Sequence, residues 1–231
     1  MIAWTDEILG QKSSDFQLLI QCRNGFSDRL RLCRQPSTVI VDGPYGKETP
    51  LKDFDKILFI AAGGGIAAHL LAIRQLLQAH EDRTARCRRL SLLWVLEDQA
   101  QERWAEPFIS LLLETDRRRI FTVLIAAPGS APATPVLASD PDRSTLKHSR
   151  LFRMYGEVDI RWLIQQEWSA EAGNMAISLC GTPLFEQHVR RALRYSPLGI
   201  HLYSSPFQMD ESTSSEHNAN RLVMKSQLAD Y

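Results

Sequence analysis

From residue 56 onward the chain alternates short, almost wholly apolar runs with segments whose apolar positions recur every three or four residues. KILFIAA (56–62), RLSLLWVLE (89–97), RIFTVLIAAP (119–128), NMAISLCG (174–181) and LGIHLYS (198–204) read as buried strands. Between them IAAHLLAIRQLLQA (66–79), WAEPFISLLLETD (104–116), DIRWLIQQEW (159–168) and TPLFEQHVRRALR (182–194) carry the helical spacing. Pro107 falls near the start of its helix, where a missing N–H is tolerated. Strands alternating with helices of this length predict an α/β fold with a five-stranded parallel sheet flanked by helices on both faces, joined by right-handed crossovers.

The pattern changes at either end and once in the middle. Residues 1–50 read as β-rich: FQLLIQC (16–22) and TVIVDG (38–43) alternate in part, with a turn signal at Asn24-Gly25 between them. Pro128–Arg150 is rich in Pro, Ala, Ser and Asp and reads as a long mobile loop. Residues 210–231 open with the polar run DESTSSEHNAN, which reads as disordered, and close with RLVMKSQLADY, which reads as a short helix. Three units follow: 1–50, 51–209 and 210–231.

Composition narrows the partners. Of 231 residues, 44% are hydrophobic and 23% charged, enough apolar material for a sizeable core. Lys+Arg and Asp+Glu both number 27, and this balance argues against nucleic acid, which demands a basic excess. The basic stretch RTARCRR (83–89) sits between a helix and a strand and reads as a solvated loop. Cys22, Cys33, Cys87 and Cys180 form no CxxC pair and no Cys/His cluster with zinc spacing, so no metal site is expected. The apolar runs are too short to span a bilayer, and MIAWTDEILGQ has neither the basic nor the apolar part of a secretory signal. The expectation is a soluble, cytoplasmic protein.

Candidate chemistry gathers where parallel strands end. In open α/β sheets ligands bind at the carboxyl ends of the strands, near the switch in strand order. The first strand runs into Ala62-Gly63-Gly64-Gly65-Ile66, a turn whose glycines let backbone approach a ligand while the next helix offers free N–H groups. The alternative is a tight strand-to-helix turn with no ligand. The strand at 174–181 ends in Ser178-Leu179-Cys180-Gly181-Thr182-Pro183, and Cys180 reads first as inert packing. His69 alone of six histidines lies one turn beyond the glycines; at a helix start it is expected to be neutral, with a structural role ahead of a ligand-facing one.

Several motifs, in order, resemble one family. VDGPYG (41–46), FDKILFIAAGGGIAAHLLAIRQLL (54–77), LSLLWVLED (90–98) with Trp104, MYGEVDIRWLI (154–164) and IHLYSSPFQM (200–209) resemble the cytosolic flavin/NAD(P)-binding region of fungal ferric reductases (metalloreductases). LLIQCRNGFSDRL (18–30) resembles that family's last flavin-barrel strands. The resemblance extends to Met209 and implies a ferredoxin-reductase-type arrangement, with 1–50 a remnant of the flavin β-barrel and 51–209 the NAD(P)-binding-like domain. It places Gly63, Gly65 and Ile66 at the dinucleotide pyrophosphate, Gly43, Pro44, Tyr45 and Gly46 beside flavin and nucleotide, and Phe207 near the flavin ring. It also shows departures. The family's His-Pro-Phe flavin motif falls upstream of Met1, as do several barrel strands and the haem-bearing membrane domain. Ala62 stands where the family's turn has its first glycine, Gly64 where it has Ile, and His69 where it often has Gln. Ser204-Ser205-Pro206 replaces an acidic residue.

These losses set the functional expectations. The leading one is a degenerate, repurposed domain acting without cofactor on a hydrophobic small molecule, by cyclisation or cycloaddition, in the former cofactor cleft. Conformational restraint would supply most of the rate, and Tyr45, His69, Ser204 or Ser205 would donate to a carbonyl as catalytic groups. Ala62, Gly64, Cys180, Gly181, Tyr203 and Phe207 would line the cleft. The alternative keeps redox chemistry: NADPH or NADH bound by Gly43, Pro44, Gly46, Gly63, Gly65 and Ile66, with hydride passed to a small acceptor or to flavin on a partner reductase chain. A non-catalytic binding module, and a truncated product of little function, stand behind both.

Overall fold

A computed structural model describes residues 2–5, 16–20, 25–35, 38, 49–129, 149–197, 199–205 and 222–225. Six parallel strands form its main sheet: β3 (Lys56–Ala62), β4 (Arg89–Val95), β5 (Phe121–Ala127), β6 (Leu151–Tyr155), β7 (Met175–Cys180) and β8 (Ile200–Ser204). Their order is β6-β5-β4-β3-β7-β8. This is the α/β class expected from the alternation, with β6 added at one edge. LFRMY carries an arginine at its centre and borders the Pro/Ala/Ser-rich run, so its strand signal is weak.

The register divides the core cleanly, because successive side chains of a strand face opposite ways. From β3, Ile57, Phe59 and Ala61 meet α2 (Ala67–Glu81) and α3 (Gln101–Thr115). Leu58 and Ile60 meet α4 (Ile160–Ala170) and α5 (Pro183–Leu193). Every residue of β3 is buried, as befits a central parallel strand covered on both faces. Fully burying a side chain of the size of Phe59 or Leu58 contributes about 1.5–3 kcal/mol.

Helix ends follow from local chemistry. Asp159 accepts from the N–H of Trp162 and Thr182 from that of Phe185, capping α4 and α5. Lys56, 2% exposed at the foot of β3, donates to the carbonyls of Trp168 (2.6 Å) and Glu171 at the far end of α4. Asp116 accepts from the N–H groups of Ile120 and Phe121 and pairs with Arg150, tying the start of β5 to the start of β6.

A second, antiparallel sheet joins β1 (Ile2–Thr5), β2 (Phe16–Ile20) and β9 (Leu222–Lys225) in the order β1-β2-β9. Two expectations change here. The helix expected over 221–231 is instead a strand at Leu222–Lys225, paired with β2. The barrel strand read across 18–30 ends at Ile20, and Phe26–Leu32 is helix α1. Gly25, at φ +95°, turns the chain, and an Asp28–Arg31 pair one turn apart favours the helix. Most of TVIVDG lies outside the described residues.

Candidate functional site

Strand order reverses between β3 and β7: the chain moves from β3 through β4 and β5 to β6, then crosses back to β7 and on to β8. Such a switch point, above these two strands, is where open α/β sheets bind ligands. β3 enters it at Ala62. Gly63, at φ +50°, bends the chain into a tight 3-10 turn, Gly63–Ile66, which runs directly into α2. No side chain caps this turn or the start of α2, and the first turn of α2 holds no acid. The first N–H groups of a helix have no partner within it, and their positive dipole end favours an anion.

The glycines do different jobs. A methyl at Gly65 would lie 2.8 Å from the carbonyl carbon of Cys180 and closer still to its oxygen. A methyl at Gly181 would lie 2.7 Å from the Phe185 ring and 3.2 Å from Cβ of Ala62. Both glycines let the turn seat against the end of β7, beside the Ala61–Cys180 register pair. At Gly63 the obstacle is a side chain: a methyl there would lie 2.5 Å from the carboxyl carbon of Glu97.

Glu97 follows β4 and lies against the bend at Gly63. Its position is braced by Gln101, which is 3% exposed: the Glu97 N–H donates to the Gln101 side-chain oxygen (3.1 Å), and the Gln101 amide donates to the Glu97 carboxylate (3.2 Å). Beneath the turn the Trp94 indole N–H donates to the Gly63 carbonyl (2.9 Å), and Trp104 stacks edge-on at 5.6 Å. The apolar pattern of LSLLWVLED marks a strand and does not single out Glu97. An acid directly after the second strand of a βαβ unit is the signal that would have found it.

The expected site residues are only partly brought together. Ala62, Gly63, Gly64, Gly65, Ile66, Cys180 and Gly181 meet at the switch. Ser204 and Ser205 stand beside them at the end of β8, where the Ser205 N–H donates to the Leu179 carbonyl (2.9 Å). Tyr203 lies lower, in register with Ser178 and edge-on to Phe54 at 6.0 Å. His69 faces inward: it is 1% exposed, bonds the Ile60 carbonyl (3.2 Å) through Nε2 and packs on Phe59 at 5.1 Å. Burial brings its pKa down to about 4, so the ring is neutral and its Nε2 is taken up within the fold. Burial, with Glu186 adding to it, pushes the Cys180 thiol up to about 12, so no thiolate is available near neutral pH. Gly43, Pro44, Tyr45, Gly46 and Phe207 lie outside the described residues. Among the described residues no group of three His, Cys, Asp or Glu is placed to hold a metal, and no helix is long and apolar enough to cross a membrane.

No protein-family model matches the chain, and no curated protein matches its sequence. Its fold is similar to that of the cytochrome b5 reductase domain of Ulva prolifera nitrate reductase, with a TM-score of 0.52 and 16% identity over 78% of this chain. The chain spans 66% of that domain's length. It also matches part of full-length CYP116B46 from Tepidiphilus thermophilus, with a TM-score of 0.49 and 17% identity, over 88% of this chain and 23% of that one. The second likeness is too loose to argue from. The first agrees with a reductase-type α/β fold; a kinship with ferric reductases in particular has no counterpart among these matches.

Proposed function

We propose that the crevice above β3 and β7 binds a pyridine dinucleotide, NADH in preference to NADPH, and that the chain is the nucleotide-binding part of a reductase. The observation that carries this reading is the placing of Glu97 against Gly63 at the mouth of an uncapped helix. The first N–H of α2, at Ala67, is bonded to the Gly64 and Gly65 carbonyls, so the pyrophosphate would be received by the glycine turn Gly63–Ile66 that precedes the helix. Glu97, held in place by Gln101, would accept from the ribose hydroxyls of the adenosine half. Ser204 and Ser205 end β8, three strands from β4, or about 14 Å at the usual strand spacing, and would meet the opposite end of the ligand. Bound there, the nucleotide supplies a hydride to an acceptor. The likeness to a reductase domain supports the same reading.

The selectivity follows from charge. A ribose diol donates to a carboxylate, whereas a 2′-phosphate brings like charge against it. Two unit charges 4 Å apart near a protein surface interact by about 4 kcal/mol, and screening at an exposed carboxylate reduces this to a preference of about tenfold or more. The cofactor-free cyclisation reading draws no comparable support. Its histidine donor is engaged with Ile60, and Tyr45 and Phe207 lie outside the described residues.

Trp94, bonded to the turn, is a built-in reporter. Titrating the full chain with NADH should quench its tryptophan fluorescence saturably, with NADPH at least tenfold weaker. Glu97→Gln should narrow that gap. Absence of saturable quenching by either nucleotide, or equal affinity for both, would overturn the proposal.

A further inference from the structure

A separate cavity of about 360 Å³ lies on the other side of the sheet, between its α4 face and α4 itself. Its origin is topological. On that face one helix, α4, crosses from β6 back to β7, while α5 serves β7 and β8; α2 and α3 both lie on the opposite face. A single helix cannot cover β4, β5 and β6 together. Thr122, Leu124 and Phe152 are therefore only half buried, and Trp162 is 44% exposed on the wall above them.

The strand register gives this cavity two unlike ends. Ser91 pairs with Thr122 across β4 and β5, and two residues on Leu93 pairs with Leu124. Around the Leu93–Leu124 pair the lining side chains are apolar, completed by Phe152, Met154, Trp162 and Leu163; Arg153 also lines the cavity, but it alternates to the other face of β6 and pairs there with Glu102 of α3. Around the Ser91–Thr122 pair it is polar but carries no uncompensated charge. Glu167 is held by both Nε (2.7 Å) and a terminal nitrogen (3.0 Å) of Arg89, and it also accepts from the Ser91 hydroxyl at 2.8 Å. The Thr122 hydroxyl and the Gln166 amide also line this end, and neither has a side-chain hydrogen-bond partner among the described residues.

We propose that this cavity binds an uncharged amphipathic small molecule: an apolar body against Leu93, Leu124 and Phe152, with one hydroxyl or carbonyl group at Thr122 and Gln166. The volume lies within the roughly 300–1,000 Å³ of small-molecule sites. The charge pattern disfavours the corresponding acid. A carboxylate placed at the polar end would face the Glu167 carboxylate, which already takes both hydrogen bonds of Arg89. An alcohol or ketone meets no such repulsion and can bond the half-buried Thr122 hydroxyl and the exposed Gln166 amide. This site shares no residue with the turn above β3 and does not depend on the nucleotide reading.

The test uses the full chain with Nile red as a neutral fluorescent probe, displaced by 1-octanol or by octanoate at pH 7.5. Nile red should bind one saturable class of site, and 1-octanol should displace it at least tenfold more effectively than octanoate. Leu124→Trp, which fills the apolar end, should weaken Nile red at least tenfold. Thr122→Val, which keeps the volume and removes the hydroxyl, should weaken 1-octanol about three- to tenfold with the far-ultraviolet circular dichroism unchanged. If Leu124→Trp fails to fold, Thr122→Val alone decides. Lack of saturable uptake, displacement by octanoate as effective as by 1-octanol, or undiminished 1-octanol binding by folded Thr122→Val would each overturn the proposal.

Discussion

Protonating His69 should cost the fold about as much as losing a buried side chain, and the structure sets both size and sign. The imidazole is 1% exposed, with its pKa held at about 4 by burial against an ordinary 6.5, while its bond to the Ile60 carbonyl pulls weakly the other way. Above pH 6.5 the ring is neutral in both folded and unfolded chains and contributes no pH dependence. Between pH 6.5 and 4 the unfolded chain takes up a proton that the folded chain refuses, so stability falls as pH falls. Integrated from pH 7.5 to 4.5, the loss is about 2.5 kcal/mol. His69→Gln removes the titration and keeps an amide able to donate to Ile60. Urea denaturation of both proteins at pH 7.5, 6.5, 5.5 and 4.5 isolates this contribution, because titrations elsewhere are common to both and cancel in the difference. At pH 7.5 the variant should be the less stable protein, having lost the ring packing on Phe59. By pH 4.5 that deficit should have shrunk by about 2.5 kcal/mol or reversed. A difference that stays constant across the series would show that His69 titrates normally and would refute its placement beneath the turn.

Gly65→Ala should destabilise the protein by about 1–3 kcal/mol or more, since its methyl meets backbone of Cys180 that cannot move without disturbing the β3–β7 pairing. Gly63→Ala should cost less, about 1–2 kcal/mol for the left-handed backbone, because the Glu97 carboxyl can swing away. Equal denaturation midpoints for the two variants would contradict this division. Lys56→Met should cost about 1–3 kcal/mol by stripping two carbonyls at the end of α4 of their charged donor, and should speed hydrogen exchange in that last turn. An unchanged melting temperature would refute it.

Legibility in the sequence followed the strength of the periodic signal. Of the five strands readable from their runs, β3, β4, β5 and β7 are interior parallel strands covered on both faces, which leaves little room for polar residues, whereas β8 is a half-buried edge strand. β6 was not readable, since an edge strand beside a low-complexity run can carry Arg153 at its centre, paired with Glu102 of α3. β9 and α1 were misread for a related reason: four to seven residues are too few for a period of 2 or 3.6 to declare itself. The turn at Gly63–Gly65 was legible as a glycine-rich bend, but the division of labour within it was not. That Gly65 serves the Cys180 carbonyl while Gly63 faces Glu97 depends on residues 115 and 34 positions away, which no local pattern encodes.

The same reversal of strand order accounts for both sites. Moving steadily from β3 to β6 places α2 and α3 on one face, and returning in one long crossover to β7 leaves the other face to α4 and α5. At the strand ends the reversal parts the chain above β3 and β7, which leaves the turn between Glu97 on the β4 side and Ser204 at the end of β8. Across the sheet it leaves β4, β5 and β6 with a single covering helix, and the cavity beside Trp162 is the result. A sequence that places hydroxyls at Ser91 and Thr122 on that otherwise apolar face has not filled the gap with hydrocarbon, as a purely structural solution would. The polar pair stands where the register makes it a neighbour of a fully engaged ion pair, so the free hydrogen-bonding capacity at that end is neutral. Charge separates the two sites as well: the exposed Glu97 carboxylate, hydrogen-bonded to the Gln101 amide, borders the one above the strands, and a carboxylate compensated by Arg89 lies within the other, which fits them to ligands of different kinds.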